Sequence, residues 1–179
     1  YKRQGFVRPH VPLVAPKKYF TPYPLGKMVL PPKIPGDQDD IPENPANRRT
    51  TANYQMDLNQ QKGTLRAYYA SVSFVDVLVG KILTALEKTG QRDNTIVIFT
   101  SDHGYHLGEH DLWQKVSIHE ESAKVPLIIS VPGKKPAVCQ SLSELIDLYP
   151  TVSRLCDREI PENIQGKDIS GMLDDPAVK

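Results

Sequence analysis

One stretch does most to decide what this chain can fold into. From Leu65 through Tyr68, Tyr69, Val72, Val75, Val79, Ile82, Leu83 and Leu86, apolar residues recur at spacings of three and four, the period of a helix that buries one stripe. The spacing predicts a helix over 62–89, with Gly90 as a left-handed C-terminal cap. Asp93-Asn94 make a turn. Thr95 to Thr100 is then an unbroken apolar, β-branched run, which reads as a strand buried on both faces, as in a parallel sheet. Val125 to Val131 is a second such strand, closed by Pro132-Gly133. Helix, turn, buried strand, long loop and buried strand predict an α/β fold with a mostly parallel sheet flanked by helices. Ser141-x-x-Glu144 reads as a capping box. Pro150 fits the first turn of a helix over 147–156.

The front of the chain obeys different rules. Ten of its sixteen prolines fall between Pro9 and Pro45, and proline breaks both ladders and helices. Residues 1–60 are expected to be extended loop. Phe6, Val7, Val11, Leu13, Val14, Tyr19, Phe20 and Tyr23 are too many apolar groups for a solvated tether. No signal peptide opens the chain, and Tyr1-Lys2-Arg3 reads as the middle of a longer polypeptide. No apolar run reaches the roughly 20 residues that span a bilayer. The net charge of +1 gives no global pull toward nucleic acid or membrane. Cys139 and Cys156 match neither a zinc pattern nor a redox pair and read as bland thiols, with a disulfide left open.

The chemistry-bearing residues cluster after the first strand. Thr100-Ser101-Asp102-His103-Gly104 ends a buried strand, where ligands sit in open α/β sheets. Asp102 offers hard oxygens for Ca²⁺ or Mg²⁺, and His103 could add a nitrogen. Gly104 allows a sharp turn there. A capped turn explains the same residues equally well. His106, His110 and His119 suggest zinc, but no metalloprotease helix or structural-zinc spacing accompanies them. Polar loop packing is the plainer reading. Lys115 could hold an anion beside a divalent ion; a solvated surface charge is the bland alternative. His10, between Pro9 and Pro12, is a rigidly mounted candidate for binding an anion or protonating a leaving group.

Taken together, these segments resemble the type I sulfatases of the alkaline phosphatase superfamily. The resemblance is carried by Gly5-Phe6-Val7-Arg8-Pro9-His10-Val11-Pro12, by Tyr68 to Asp76, and by Phe99 to His110. Trp113-Gln114-Lys115, Val125-Pro126-Leu127-Ile128 and Asp147-Leu148-Tyr149-Pro150-Thr151 extend it. His after the metal-side Asp is similar to the iduronate-2-sulfatase-like branch. The resemblance implies sulfate-ester hydrolysis on sulfated sugars or related esters, with Ca²⁺ (less so Mg²⁺) and a formylglycine nucleophile. It implies Asp102 and His103 on the metal, Lys115 and His10 as catalytic groups, and Tyr105 and His106 at the substrate. Residues 1–60 would carry the active-site His, and 61–179 the back half of the catalytic domain. The family's Cys or Ser followed by x-Pro-x-Arg does not occur here. The expected reading is therefore a fragment, inactive alone, whose partner is the missing N-terminal half of the same domain. Export or lysosomal delivery is expected from the family. A phosphodiesterase or phosphonate hydrolase of the same superfamily and a non-catalytic half-domain are the alternatives.

Overall fold

The computed structural model describes residues 4–39 and 49–177. Tyr1-Lys2-Arg3, and Pro42 and Pro45 of the proline-rich segment, lie outside them. Two compact units form, Tyr1–Arg92 with His103–Pro126, and Asp93–Asp102 with Leu127–Lys179.

The first unit is built on α1, Leu58–Lys88. It starts four residues before the apolar stripe suggested because Asp57 makes a capping box. Its carboxylate accepts the Gln60 amide at 2.8 Å, and the Gln60 side chain accepts the Asp57 amide at 2.8 Å. After the exposed Leu58 that first turn is polar, Asn59-Gln60-Gln61, so hydrophobic periodicity could not see it. At the other end Gly90 is left-handed at φ 67°, and the Gln91 amide reaches back to Leu86 O at 2.9 Å, as the Schellman closure requires.

The described part of the proline-rich segment packs on this helix, with only short 3₁₀ turns at Lys17–Phe20 and Leu25–Lys27. Tyr19 meets Phe74 at 5.2 Å between ring centroids. The Tyr23 hydroxyl shares a 2.7 Å hydrogen bond with Ser73. Arg66 lies over the Phe20 ring. A small core of Met28, Leu65, Leu107 and Trp113 follows, with Tyr68 and Tyr105 packed against it. By length and composition alone α1 is also apolar enough to cross a membrane, which the run-length reading did not anticipate. Asp76 and Lys81 interrupt its apolar run, and Tyr19, Phe20 and Tyr23 pack against it.

The second unit holds β1, Val97–Thr100, and a later strand, Leu127–Ser130. Both lie inside the expected ranges. They pair antiparallel, Val97 with Ser130 through Thr100 with Leu127, not in parallel as expected. The intervening segment leaves and returns at the same strand ends, without the helical crossover that parallel pairing requires. Nor are the strands buried on both faces: Phe99 is 39% exposed and its register partner Ile128 is 59% exposed.

A helix at Leu148–Leu155 matches the expected one, with Pro150 in its first turn. Its cap differs from the Ser141 box. Glu144 and Asp147 cap the preceding 3₁₀ turn reciprocally. The Asp147 carboxylate, buried within the chain, also accepts the Lys167 amide at 2.8 Å. Cys139 and Cys156 are free thiols, and Cys156 is exposed.

Candidate active site

In the second unit, Asp102 stands two residues beyond the carboxyl end of β1 and is exposed. The remaining candidates belong to the first unit.

His103 to Ala123 form one looped excursion tied at its base. The Gly104 amide donates to Ser122 O at 2.8 Å. A Cβ on Gly104 would sit 2.0 Å from Glu121 O. Gly104 is therefore required by close approach of two backbones, not by the sharp turn read from the sequence. Within the loop β2, His106–Leu107, pairs with β3, Trp113–Gln114. The helical turn α2, Glu120–Ala123, closes the excursion.

The His103 ring bonds Gly104 O through Nδ1 at 2.7 Å. Carbonyl oxygen only accepts, so Nδ1 carries the proton and Nε2 the lone pair. Lys115 Nζ donates to that Nε2 at 2.7 Å. The structure thus joins two of the sequence-predicted residues directly. Lys115 is held between residues with left-handed backbone, Gln114 at φ 71° and Val116 at φ 84°. A β-branched residue there is strained, and such strain persists where surrounding contacts over-determine it.

His10 is exposed, in a turn closed by its amide on Val7 O at 2.9 Å. Its Nδ1 donates to Val11 O at 2.8 Å, which leaves Nε2 as the ring's acceptor. An open cleft of about 450 Å³ is lined by Val11, Leu13, Tyr105, Trp113 and Gln114, with α1 residues behind them. Val11 follows His10 and Gln114 precedes Lys115, so one cleft brings the proline-flanked turn to the lysine loop. Tyr105 stands in its wall. Burial, reinforced by Tyr68 and Tyr54 against Arg49, pushes its hydroxyl pKa up to about 12.

His106 is a correction. Expected at the substrate, it is 1% exposed in the interior, with Nε2 2.7 Å from Ser117 Oγ. Burial lowers its pKa, with Glu121 and Glu109 opposing and His119 and His110 assisting. His110 stacks on His119 at 4.2 Å and bonds Asp37 at 2.8 Å. Among the described residues no group of three or more His, Cys, Asp or Glu side chains could hold a metal ion. The histidines pack with each other and with carboxylates. Asp102 and His103, consecutive in the chain, carry a carboxylate and an imidazole, and the imidazole Nε2 is engaged by Lys115 Nζ. A carboxylate and an imidazole are donor types that suit a divalent ion, and the six to eight ligands that Ca²⁺ takes are more than these two side chains supply.

Sequence reasoning missed Arg49 and Thr51. The Trp113 indole donates to Thr51 Oγ1 at 2.8 Å, and Arg49 Nη1 donates to Gln114 Oε1 at 2.6 Å. Neither stands near a motif, so nothing in the sequence marked them.

A family model described as Sulfatase matches residues 5–157. The chain belongs to the sulfatase family. Formylglycine and a metal are general to that family, and its members are hydrolases. A sulfatase of Formosa agariphila is 34% identical over 178 residues, covering 94% of this chain and 34% of its own length. Human iduronate 2-sulfatase is 30% identical, over 88% of this chain and 36% of its own. Among solved structures, the phosphonate monoester hydrolase SpPMH of Silicibacter pomeroyi superposes with a TM-score of 0.83 at 32% identity, over 94% of this chain and 36% of its own. The fold is thus the sulfatase-like α/β fold expected, and this sulfatase-family chain spans about a third of the length of these relatives.

Proposed function

We propose that this chain supplies the sulfate-holding side of a sulfuric ester hydrolase acting on sulfated sugars or related sulfate esters. The observation that carries the reading is Lys115, held 2.7 Å from His103 in a strained loop whose neighbours line the cleft beside His10. The Lys115 ammonium binds a sulfate oxygen and offsets charge developing there. His10, anchored through Nδ1–H, presents Nε2 to the leaving oxygen; with the ring in its imidazolium form, the Nε2 proton passes to that oxygen as the S–O bond breaks and the ring is left neutral. Tyr105 lines the pocket for the alcohol portion. Asp102 and His103 are proposed to hold Ca²⁺, with Mg²⁺ second, through the His103 Nε2 lone pair that Lys115 Nζ occupies here. The Lys115 ammonium would then be released to the sulfate, and the ion would supply polarisation of the sulfate. The formylglycine is proposed to lie outside this chain, since neither Cys139 nor Cys156 is followed by x-Pro-x-Arg. We further propose residues 1–60 as the segment presenting His10, 61–179 as the back half of the catalytic domain, and an exported or lysosomal location.

A release assay tests the reading. The 179-residue chain alone is expected to free no sulfate. A protein in which a Cys- or Ser-x-Pro-x-Arg segment precedes it is expected to do so, with loss on chelation. Metal-dependent release by the chain alone would overturn the assignment of the nucleophile. The likeness to SpPMH favours a second reading, phosphonate monoester hydrolysis. Faster turnover of a phosphonate monoester than of any sulfate ester would establish it instead.

A further inference from the structure

Three consecutive residues, Arg49, Thr50 and Thr51, clasp the strand that leads into Lys115. Thr50 forms an isolated antiparallel bridge with Leu112. The Thr51 amide donates to Asp111 O at 3.2 Å, and its hydroxyl accepts the Trp113 indole at 2.8 Å. Arg49 reaches the last residue before the lysine, donating to Gln114 Oε1 at 2.6 Å. Backbone and side-chain contacts thus advance in step along 111–114 and end at the residue before Lys115. Gln114 is also where the backbone turns left-handed, at φ 71°. An ordinary side chain does not hold that conformation unaided. The bond from Arg49 fixes the Gln114 side chain while the bridge and the indole fix its neighbours. The Arg49 charge opposes the rise in the Tyr105 hydroxyl pKa, and Gln114, which it holds, lines the cleft with Tyr105.

Resting on the sulfatase reading above, we propose that Arg49 is a positioning residue. Its hydrogen bond to Gln114 sets the loop that aims Lys115 at the sulfate. Arg49 acts through Gln114 and does not itself touch the anion. Groups that bind charge must be held within about half an ångström of their working geometry, and neighbouring hydrogen bonds do that holding.

The test is a titration with inorganic sulfate of the longer protein in which a Cys- or Ser-x-Pro-x-Arg segment precedes this chain, followed on the ¹³C-labelled lysine ε-methylenes. The chain's single tryptophan supplies a fold control through its indole N–H resonance. Arg49→Ala is expected to weaken sulfate binding about tenfold and to move the Lys115 signal toward its random-coil position, with the Trp113 resonance in place. Arg49→Gln removes the charge but keeps an amide donor for Gln114 Oε1, and is expected to recover binding to within about threefold of wild type. If Arg49→Gln binds as weakly as Arg49→Ala, the residue acts by charge alone and the proposal fails. Wild-type affinity in both variants, with an unmoved Lys115 signal, also overturns it. If wild type binds no sulfate and Lys115→Ala changes nothing, the sulfatase reading fails. The Lys115 signal in Arg49→Ala still decides the tether by itself, since it reads loop order without bound anion.

Discussion

Gly104 has no space for a side chain. A methyl group there would lie 2.0 Å from one backbone oxygen, Glu121 O, and 3.2 Å from another, Lys124 O. Backbone cannot rotate away as a flexible side chain can. Gly104→Ala is therefore expected to destabilise the first unit by about 3 kcal/mol, the upper end for overpacking, read as a fall in the denaturant midpoint. The neighbouring positions show where residue-level reading works and where it stops. Lys115 and His103 were singled out because their types and order are chemically distinctive, and the structure puts them 2.7 Å apart. The place of His106 was not legible, because a histidine in a polar loop carries no sequence mark of burial. His106 is 1% exposed, with Ser117, eleven positions on, bonded to its Nε2 and the His110 and His119 rings packed against it. Gly104 was noticed for the wrong reason, since its crowding comes from a backbone seventeen positions away.

Among elements, the helices were more legible than their ends. The stripe from Leu65 to Leu86 located α1, but the Asp57–Gln60 box that begins it lies in polar sequence. The helix at Leu148–Leu155 was placed through Pro150, while its real fastening is Asp147. That carboxylate accepts Lys167 N at 2.8 Å and Glu144 N at 2.9 Å. Those two amides, Lys167 first, hold its pKa below the usual value of 3.8, against the opposing effect of burial. A depressed carboxylate pKa means the unfolded chain binds the proton more readily. The stabilisation is complete above the unfolded value near 4 and is lost as pH falls through the lower folded value. Asp147→Ala leaves both amides without that partner and is expected to cost about 2 kcal/mol at neutral pH. The difference from wild type should shrink below about pH 4, measured as paired urea midpoints across pH. Strand direction was not legible, because an apolar run reports burial and says nothing about which neighbour it meets.

For the whole molecule, several large apolar side chains stand exposed among the described residues. Phe99 and Ile128 lie opposite each other in register, 39% and 59% exposed, and Ile118 is 89% exposed. Exposed strand faces of this kind invite association. The chain on its own is expected to melt broadly and scatter light at micromolar concentration. Ile128→Lys is expected to cut the scattering at least about threefold with little change in secondary structure, since a charge on the solvent face guards a strand. A sharp cooperative melt of the unaltered chain, without scattering, would count against this. The excursion from Gly104 to Ser122 has the opposite character. Its two ends are stitched together at 2.8 Å, so the entropy of closing it is settled at its own neck and does not depend on the layers around it. In hereditary terms such a loop is a cassette in two parts. Its neck travels with it, but the lysine is aimed only where the Arg49–Thr51 segment that clasps 111–114 comes too.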